Sequence, residues 1–304
     1  MKDFYQGAAP HQPQKKCYFH LFTPEDHPVV FSCRREFKVG MSLIAICAAM
    51  FPEISILTFE LMSNHIHVVL YATEDDAYAF FLQFRTFLQR WFQRNGHPVD
   101  LSKFVCKLKA KEDTESIRNM VSYTNRNGFL VYPDYTPFSY PWGANSYMFN
   151  PDARKKFEKE STPMTMTYRR KVTRSRKADE IRSLRMVDGY ASPLSFCNIT
   201  AAEELYNNAA GYFYEISRNI EAHKSVAADI GEREFYTDQD LIAAVRKKSR
   251  ENYDENNPTL LPVNSKLALA RFMHYDYNAD CKQIARILKL NLETVKQMFP
   301  APKE

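Results

Sequence analysis

The residues best placed by type and spacing to do chemistry are His65 and His67, which flank Ile66 in a run rich in apolar and β-branched side chains. Alternation along a strand sends both imidazoles to one face and Ile66 to the other. Two neutral imidazoles side by side can bind one divalent ion and leave room for a third ligand and a substrate oxygen. The same spacing also suits two unrelated histidines on a half-exposed strand. A second pair, Tyr123 and Asn127, lies in a helical stretch. Four residues apart on a helix means the same face, about one turn along. A phenol and an amide so placed could both face the histidine strand, although periodicity alone does not select this tyrosine among 18.

The elements that must position these groups follow from pattern. Lys16 to Thr23 alternates as a strand, and Glu36 to Phe51 carries apolar residues at helical spacing before Pro52 stops it. Ile54 to Leu61 and His65 to Ala72 form a closely linked strand pair. Asp75 to Asn95 is an amphipathic helix, Phe104 to Ala110 a strand, and Thr114 to Asn127 a helix with Gly128 at its C-cap. The order β-α-β-β-α-β-α predicts an α+β fold, an antiparallel sheet with helices packed on it. Ala201 to His223 reads as one helix, with Thr200 and Glu203 as its capping box. Asp238 to Arg250 reads as another.

Residues 265 to 299 change character. A helix from Ser265 to Tyr275 precedes Cys281 to Leu288, a tight turn at Lys289-Leu290-Asn291, and Leu292 to Phe299. Ile284, Ala285, Leu288, Leu290 and Val295 supply the small core of a helix-turn-helix, leaving Thr294, Lys296 and Gln297 outward on a recognition helix. Lys289 stands where the usual turn glycine would be. Three domains are expected: residues 1–150, a basic linker and helical region over 151–260, and the helix-turn-helix over 261–304.

Composition bounds the class. With 45% hydrophobic and 14% aromatic residues the 304-residue chain builds a real core. No stretch approaches the ~18 consecutive apolar residues of a membrane span. The six scattered cysteines include no C-x-x-C pair, which points to reduced thiols and a cytoplasmic setting. The net charge of +5 is uneven: Asp152 to Arg185 holds twelve Lys or Arg against five acids, leaving the rest slightly acidic. Such a block, including Arg169, Arg170, Lys171, Arg174, Arg176 and Lys177, suits either a polyanion partner or a solvated linker.

One resemblance joins these features. Leu61-Met62-Ser63-Asn64-His65-Ile66-His67-Val68-Val69-Leu70 resembles the signature strand of single-tyrosine HUH transposases, particularly the REP-associated tyrosine transposase branch. Tyr123 to Gly128 and Tyr140-Pro141-Trp142 match that family's later motifs in order and spacing, across about residues 16 to 150. The resemblance implies a ferredoxin-like sheet. It also implies that His65, His67 and Asn127 hold Mg²⁺ or Mn²⁺, while Tyr123 attacks a phosphodiester to give a 5′-phosphotyrosine. The implied substrate is single-stranded or hairpin DNA near an extragenic palindrome, contacted by Lys107, Lys109, Arg126, the basic block and the recognition helix. A nucleoid-associated monomer is expected. Gly128, where the family has proline, and Gly143-Ala144, where it has a small hydroxyl pair, depart from the pattern. The competing reading is a domesticated, non-catalytic DNA-binding regulator that uses only its helix-turn-helix.

Overall fold

The computed structural model describes residues 15–299, apart from 26, 96–98, 132–134, 137, 219, 232–235, 237 and 278. Strand β1 (Cys17–Phe22) leads into α1 (Arg34–Met50). The pair β2 (Ser55–Leu61) and β3 (Ile66–Ala72) follows, then α2 (Glu74–Arg94), β4 (Lys107–Lys111) and α3 (Thr114–Val131). Thr73 starts α2 by accepting the Asp76 N–H, with three acids in the first turn facing the helix dipole. The sheet is antiparallel throughout, in the order β2-β3-β1-β4.

Register sorts the sheet into two faces. One carries Ile56, Phe59 and Leu61 from β2, Ile66, Val68 and Leu70 from β3, and Phe19 and Leu21 from β1, all buried. Helices α1 and α2 cover it. Gly40 of α1 leaves room for the Leu61 and Phe31 side chains, since a Cβ there would stand 2.8 Å from Leu61 Cδ1 and from a ring carbon of Phe31. The other face carries Thr58 and Glu60, His67 and Val69, His20 and Phe22, and Lys107 and Lys109 of β4. Helix α3 lies across this polar face.

Helix α3 continues through Gly128 to Val131, so Gly128 is not its C-cap. The glycine is needed for space: a Cβ at position 128 would fall on the Tyr140 ring, whose hydroxyl donates to Leu61 O at 2.7 Å.

Next come α4 (Pro151–Glu160), α5 (Met166–Thr173) and α6 (Ile199–Glu203), with a small antiparallel sheet of β5 (Thr162–Pro163), β6 (Arg185–Val187) and β7 (Tyr190–Ala191). The expected single helix over 201–223 is instead α6, α7 (Ala209–Arg218) and α8 (Ile220–Ile230). The cap of α6 is Asn198, which accepts the Ala201 N–H. The Glu203 carboxylate, assigned to a capping box from sequence, accepts instead from Arg154 and from the Phe149 N–H at 2.6 Å.

Helices α9 (Asp238–Tyr253), α10 (Val263–Tyr277), α11 (Cys281–Leu288) and α12 (Leu292–Met298) complete the chain. The cores divide it differently from the expected boundaries at 150 and 260. One apolar cluster runs from Phe19 to Ile216, and a second from Tyr236 to Phe299. Residues 151–216 bury side chains such as Phe196 against the sheet domain, where its ring lies 5.5 Å from that of Phe59. Among the described residues no helix is long and apolar enough to cross a membrane.

Candidate functional site

The polar sheet face and α3 enclose a cluster of imidazoles. His67 points from β3 towards α3, where Asn127 Nδ2 lies 3.1 Å from His67 Nε2. The Tyr123 ring stands edge-on to His67, with centroids 5.8 Å apart, and edge-on to His20 at 6.0 Å. The strand and helix patterns, read separately, therefore converge on one site. His65 precedes β3, its ring 5.0 Å from His67, and its Nδ1 pairs with Asn64 Oδ1 at 2.8 Å, leaving Nε2 for a ligand.

The backbone around the histidines is tied on both sides. Ile66 N–H donates to Thr23 Oγ1 at 3.0 Å, and the Val30 and Phe31 N–H groups donate to Ser63 O at 2.7 and 2.8 Å. Helix α3 is held in register by a buried polar network centred on Asn125, midway between Tyr123 and Asn127. Thr58 Oγ1 donates to Asn125 Oδ1 at 2.5 Å, Asn125 Nδ2 donates to Tyr212 Oη at 2.8 Å, and Asn145 Nδ2 donates to Asn125 O at 2.9 Å. Satisfied networks of this kind fix one arrangement of the elements that share them.

Sequence reasoning missed two members of the site. His20, on β1, places Nε2 3.1 Å from His67 Nδ1 with both rings fully buried. Glu60, on β2 opposite His67, is also fully buried, and its Oε2 accepts the Gly128 N–H at 2.7 Å. The alternation of Lys16 to Thr23 put His20 on one strand face, but nothing local shows that this strand lies beside β3. Burial depresses the imidazoles, His20 to about 3 and His65 to about 4, with His67 well below its ordinary value. Burial raises Glu60 well above its ordinary carboxylate value, which favours its neutral form.

The donor set suits a hard divalent ion in part. His65, His67 and an Asn127 amide, which presents Oδ1 after a half turn, would be three protein ligands, leaving positions for phosphate oxygens. The three histidines do not converge on one point. Among the described residues no three His, Cys, Asp or Glu groups are disposed to hold one ion. His20 is engaged with His67 instead.

Tyr123 is 6% exposed. It forms a small cluster with Phe22 and with Ala227 and Ile230 of α8, which therefore lies over the site. Asp229 of the same helix stands 3.1 Å from Lys111 Nζ and 3.8 Å from Lys109 Nζ.

The expected DNA contacts separate into groups. Lys107 is exposed beside the site, while Lys109 shares Asp229. Arg126 is corrected: it is 1% exposed, paired with Asp240 and donating to Ile216 O, so it braces α3 instead of facing solvent. One residue from Asn127 on a helix is about 100° round the axis, which turns Arg126 to a different neighbour.

The basic block is folded, and α5 packs on α1 and α2, behind the sheet as seen from Tyr123. Arg169 is half-buried, and its Nη1 donates to the carbonyls of Ala178, Asp179 and Ile181. Arg170 pairs with Asp179. Lys171, Arg174, Arg176 and Lys177 remain exposed. Thr294, Lys296 and Gln297 are exposed on α12, with Lys296 3 residues from its partner Glu293. Lys289 caps α11 with φ 51° and ψ 49°, taking the left-handed conformation that favours glycine.

Comparisons with protein-family models, with curated proteins and with solved structures each give no match to this chain.

Proposed function

We propose that this chain is a metal-dependent phosphodiester transesterase that uses a tyrosine nucleophile. The observation that carries this is the meeting of Tyr123, His67 and Asn127 at one buried point, from a helix and a strand 56 residues apart in sequence for the first two. More particularly, the reading is a single-tyrosine HUH transposase of the REP-associated kind, which cleaves and rejoins single-stranded hairpin DNA. The strand order β2-β3-β1-β4, with the β-α-β-β-α-β connection, supports the ferredoxin-like sheet of that family. The turn between α11 and α12 supports a helix-turn-helix beside it.

In this mechanism Tyr123 Oη attacks the phosphorus, the Oη–P bond forms and the P–O3′ bond breaks. The phenolic proton ends on the departing 3′-oxygen. A bound Mg²⁺ or Mn²⁺ would polarise the scissile phosphate and favour phenolate, since a free phenol has a pKa of ~10. Asn127 and His67 orient the phosphate, and α3 sets Tyr123 in line. The phosphotyrosine conserves the ester bond, so a second 3′-hydroxyl can be joined without ATP. Tyr123 reaches His67 within one chain, which supports a monomer. The burial of Tyr123 beneath α8 means that DNA enters only when α8 is displaced. That same burial is what favours the second reading, a DNA-binding regulator in which the site is not used.

The separating experiment incubates the chain with single-stranded hairpin oligonucleotides and Mn²⁺ and looks for an adduct that survives SDS. The expected result is an adduct absent in Tyr123→Phe and in chelator, and strongly reduced in His67→Ala. No adduct with any hairpin, or one persisting in Tyr123→Phe, leaves the regulator reading.

A further inference from the structure

We infer that His20 is the positioning residue for His67, holding it in the Nδ1–H tautomer so that Nε2 presents a lone pair beside Asn127. This rests on the proposed metal site and deepens it.

His20 lies opposite Val69 on the polar face, one row along the sheet from the Phe22–His67 pair, and reaches diagonally to His67. The rings are 5.2 Å apart at 31°, with Nε2 of His20 3.1 Å from Nδ1 of His67. Both side chains are 0% exposed, so no bulk water can substitute for the bond. A single hydrogen between two neutral imidazoles allows two arrangements. In one, His67 Nδ1–H donates to His20 Nε2, and His67 keeps a lone pair on Nε2. In the other the proton sits on His20 Nε2, His67 must carry its own on Nε2, and His67 cannot ligate through that atom.

The His67 end selects the first arrangement, and the His20 end accommodates it. At the His67 end, in the metal-free arrangement, the Asn127 amide nitrogen lies 3.1 Å from Nε2, a donor that pairs with an unprotonated Nε2 and turns aside when Oδ1 is presented to a metal. At the other end, His20 Nδ1 is buried without a hydrogen-bond partner among the described residues. His20 lines a pocket of about 150 Å³ shared with Asn119, Ser225 and Asp229. Lys109 and Lys111 also line it, but both are drawn to the Asp229 carboxylate. A pocket of that size and polarity takes a water, which would accept a hydrogen bond from His20 Nδ1–H and donate one of its own to Asp229. The order ligand atom, imidazole, imidazole, polar pocket is that of a metal-bound histidine oriented through its second nitrogen, with histidine where a carboxylate is more usual.

The test compares the full-length wild type with His20→Phe, which keeps a ring and loses both nitrogens, and His20→Gln, whose amide places a polar atom near the position of Nε2. Thermal unfolding establishes that both variants fold. Mn²⁺ affinity is read by electron paramagnetic resonance, and the His67 tautomer in metal-free protein by ¹⁵N imidazole shifts. The expected result is the Nδ1–H tautomer in the wild type and loss of that preference in His20→Phe. Mn²⁺ binding should weaken by about 10–100-fold in His20→Phe and recover to within a few-fold in His20→Gln. An Nε2–H tautomer in the wild type overturns the inference, as does His20→Phe unchanged in both readouts or His20→Gln as weak as His20→Phe. A wild type that binds no Mn²⁺ overturns the metal reading instead, and the tautomer measurement then decides the role of His20 alone.

Discussion

The two faces of the four-stranded sheet differ in what they bury at their centres, apolar side chains on one and polar groups beside Val69 and Phe22 on the other. Under α1 and α2 lie Phe19, Leu21, Phe59, Leu61, Val68 and Leu70, with no polar side chain from the strands among them. Under α3 and α8 lie His20, Thr58, Glu60 and His67, every one at 0% exposure. Burying apolar area stabilises a fold, whereas burying polar groups costs unless each finds a partner. The first face therefore makes the fold, and the second is a cost the first must carry. A polar face retained at that cost is where chemistry is to be sought.

The contrast can be broken most severely at Gly128. Gly128→Pro should destabilise by about 3 kcal/mol or more. The ring would fall on Tyr140 and remove the N–H that Glu60 accepts. Chemical denaturation reads the loss, and a wild-type midpoint would show that Tyr140 can yield. On the apolar face, Leu70→Ala should cost about 2–5 kcal/mol by the same measurement, the range for a buried leucine truncated to leave a cavity.

The polar face should show itself through pH. The folded protein keeps His20, His65, His67 and His223 neutral, because burial lowers all four. The unfolded chain protonates them below about 6.5, so it binds more protons and stability falls as pH drops from 6.5 towards 4. Each contributes a slope of up to about 1.4 kcal/mol per pH unit. Glu60 acts in the opposite sense: its raised value keeps the folded carboxyl protonated while the unfolded one ionises, so stability falls as pH rises above about 4.5. Glu60→Gln should shift stability by less than about 1.5 kcal/mol at pH 5, since the amide still accepts from Gly128. It should gain on the wild type as pH rises, and parallel melting curves at pH 5 and 8 would refute a neutral Glu60. The smallest effect belongs to Asp229→Asn. Stability should move by less than about 1 kcal/mol, while Lys109 and Lys111 become free to bind single-stranded DNA more tightly at low salt.

Much of this was legible in sequence where the signal is periodic. The strands around His67 and the helix carrying Tyr123 stand within a residue or two of their expected starts, because alternation and the 3.6-residue period are local. His20 and Glu60 were not legible, since strand order is set by the long-range burial of apolar faces and leaves no local mark. Arg126 was misjudged because a charged residue beside a candidate ligand looks like a contact, whereas its helical angle sends it elsewhere. The helix expected over 201–223 failed for a related reason. Glu203 is drawn off to Arg154 and Phe149, contacts from 49 and 54 residues away that no window over the helix contains.

The pairing of Arg126 with Asp240 has a further reach. It joins a side chain of the tyrosine helix to the first turn of α9, where the second apolar core begins. Neither charge is solvated, so pulling the cores apart must hydrate both or leave one stranded. The two halves are thus welded at a point one residue from Asn127. Any truncation that removes α9 would strip the guanidinium of its carboxylate, so α9 belongs with the sheet domain as much as with the second core. A change at Asp240 is therefore felt first in the helix that carries Tyr123.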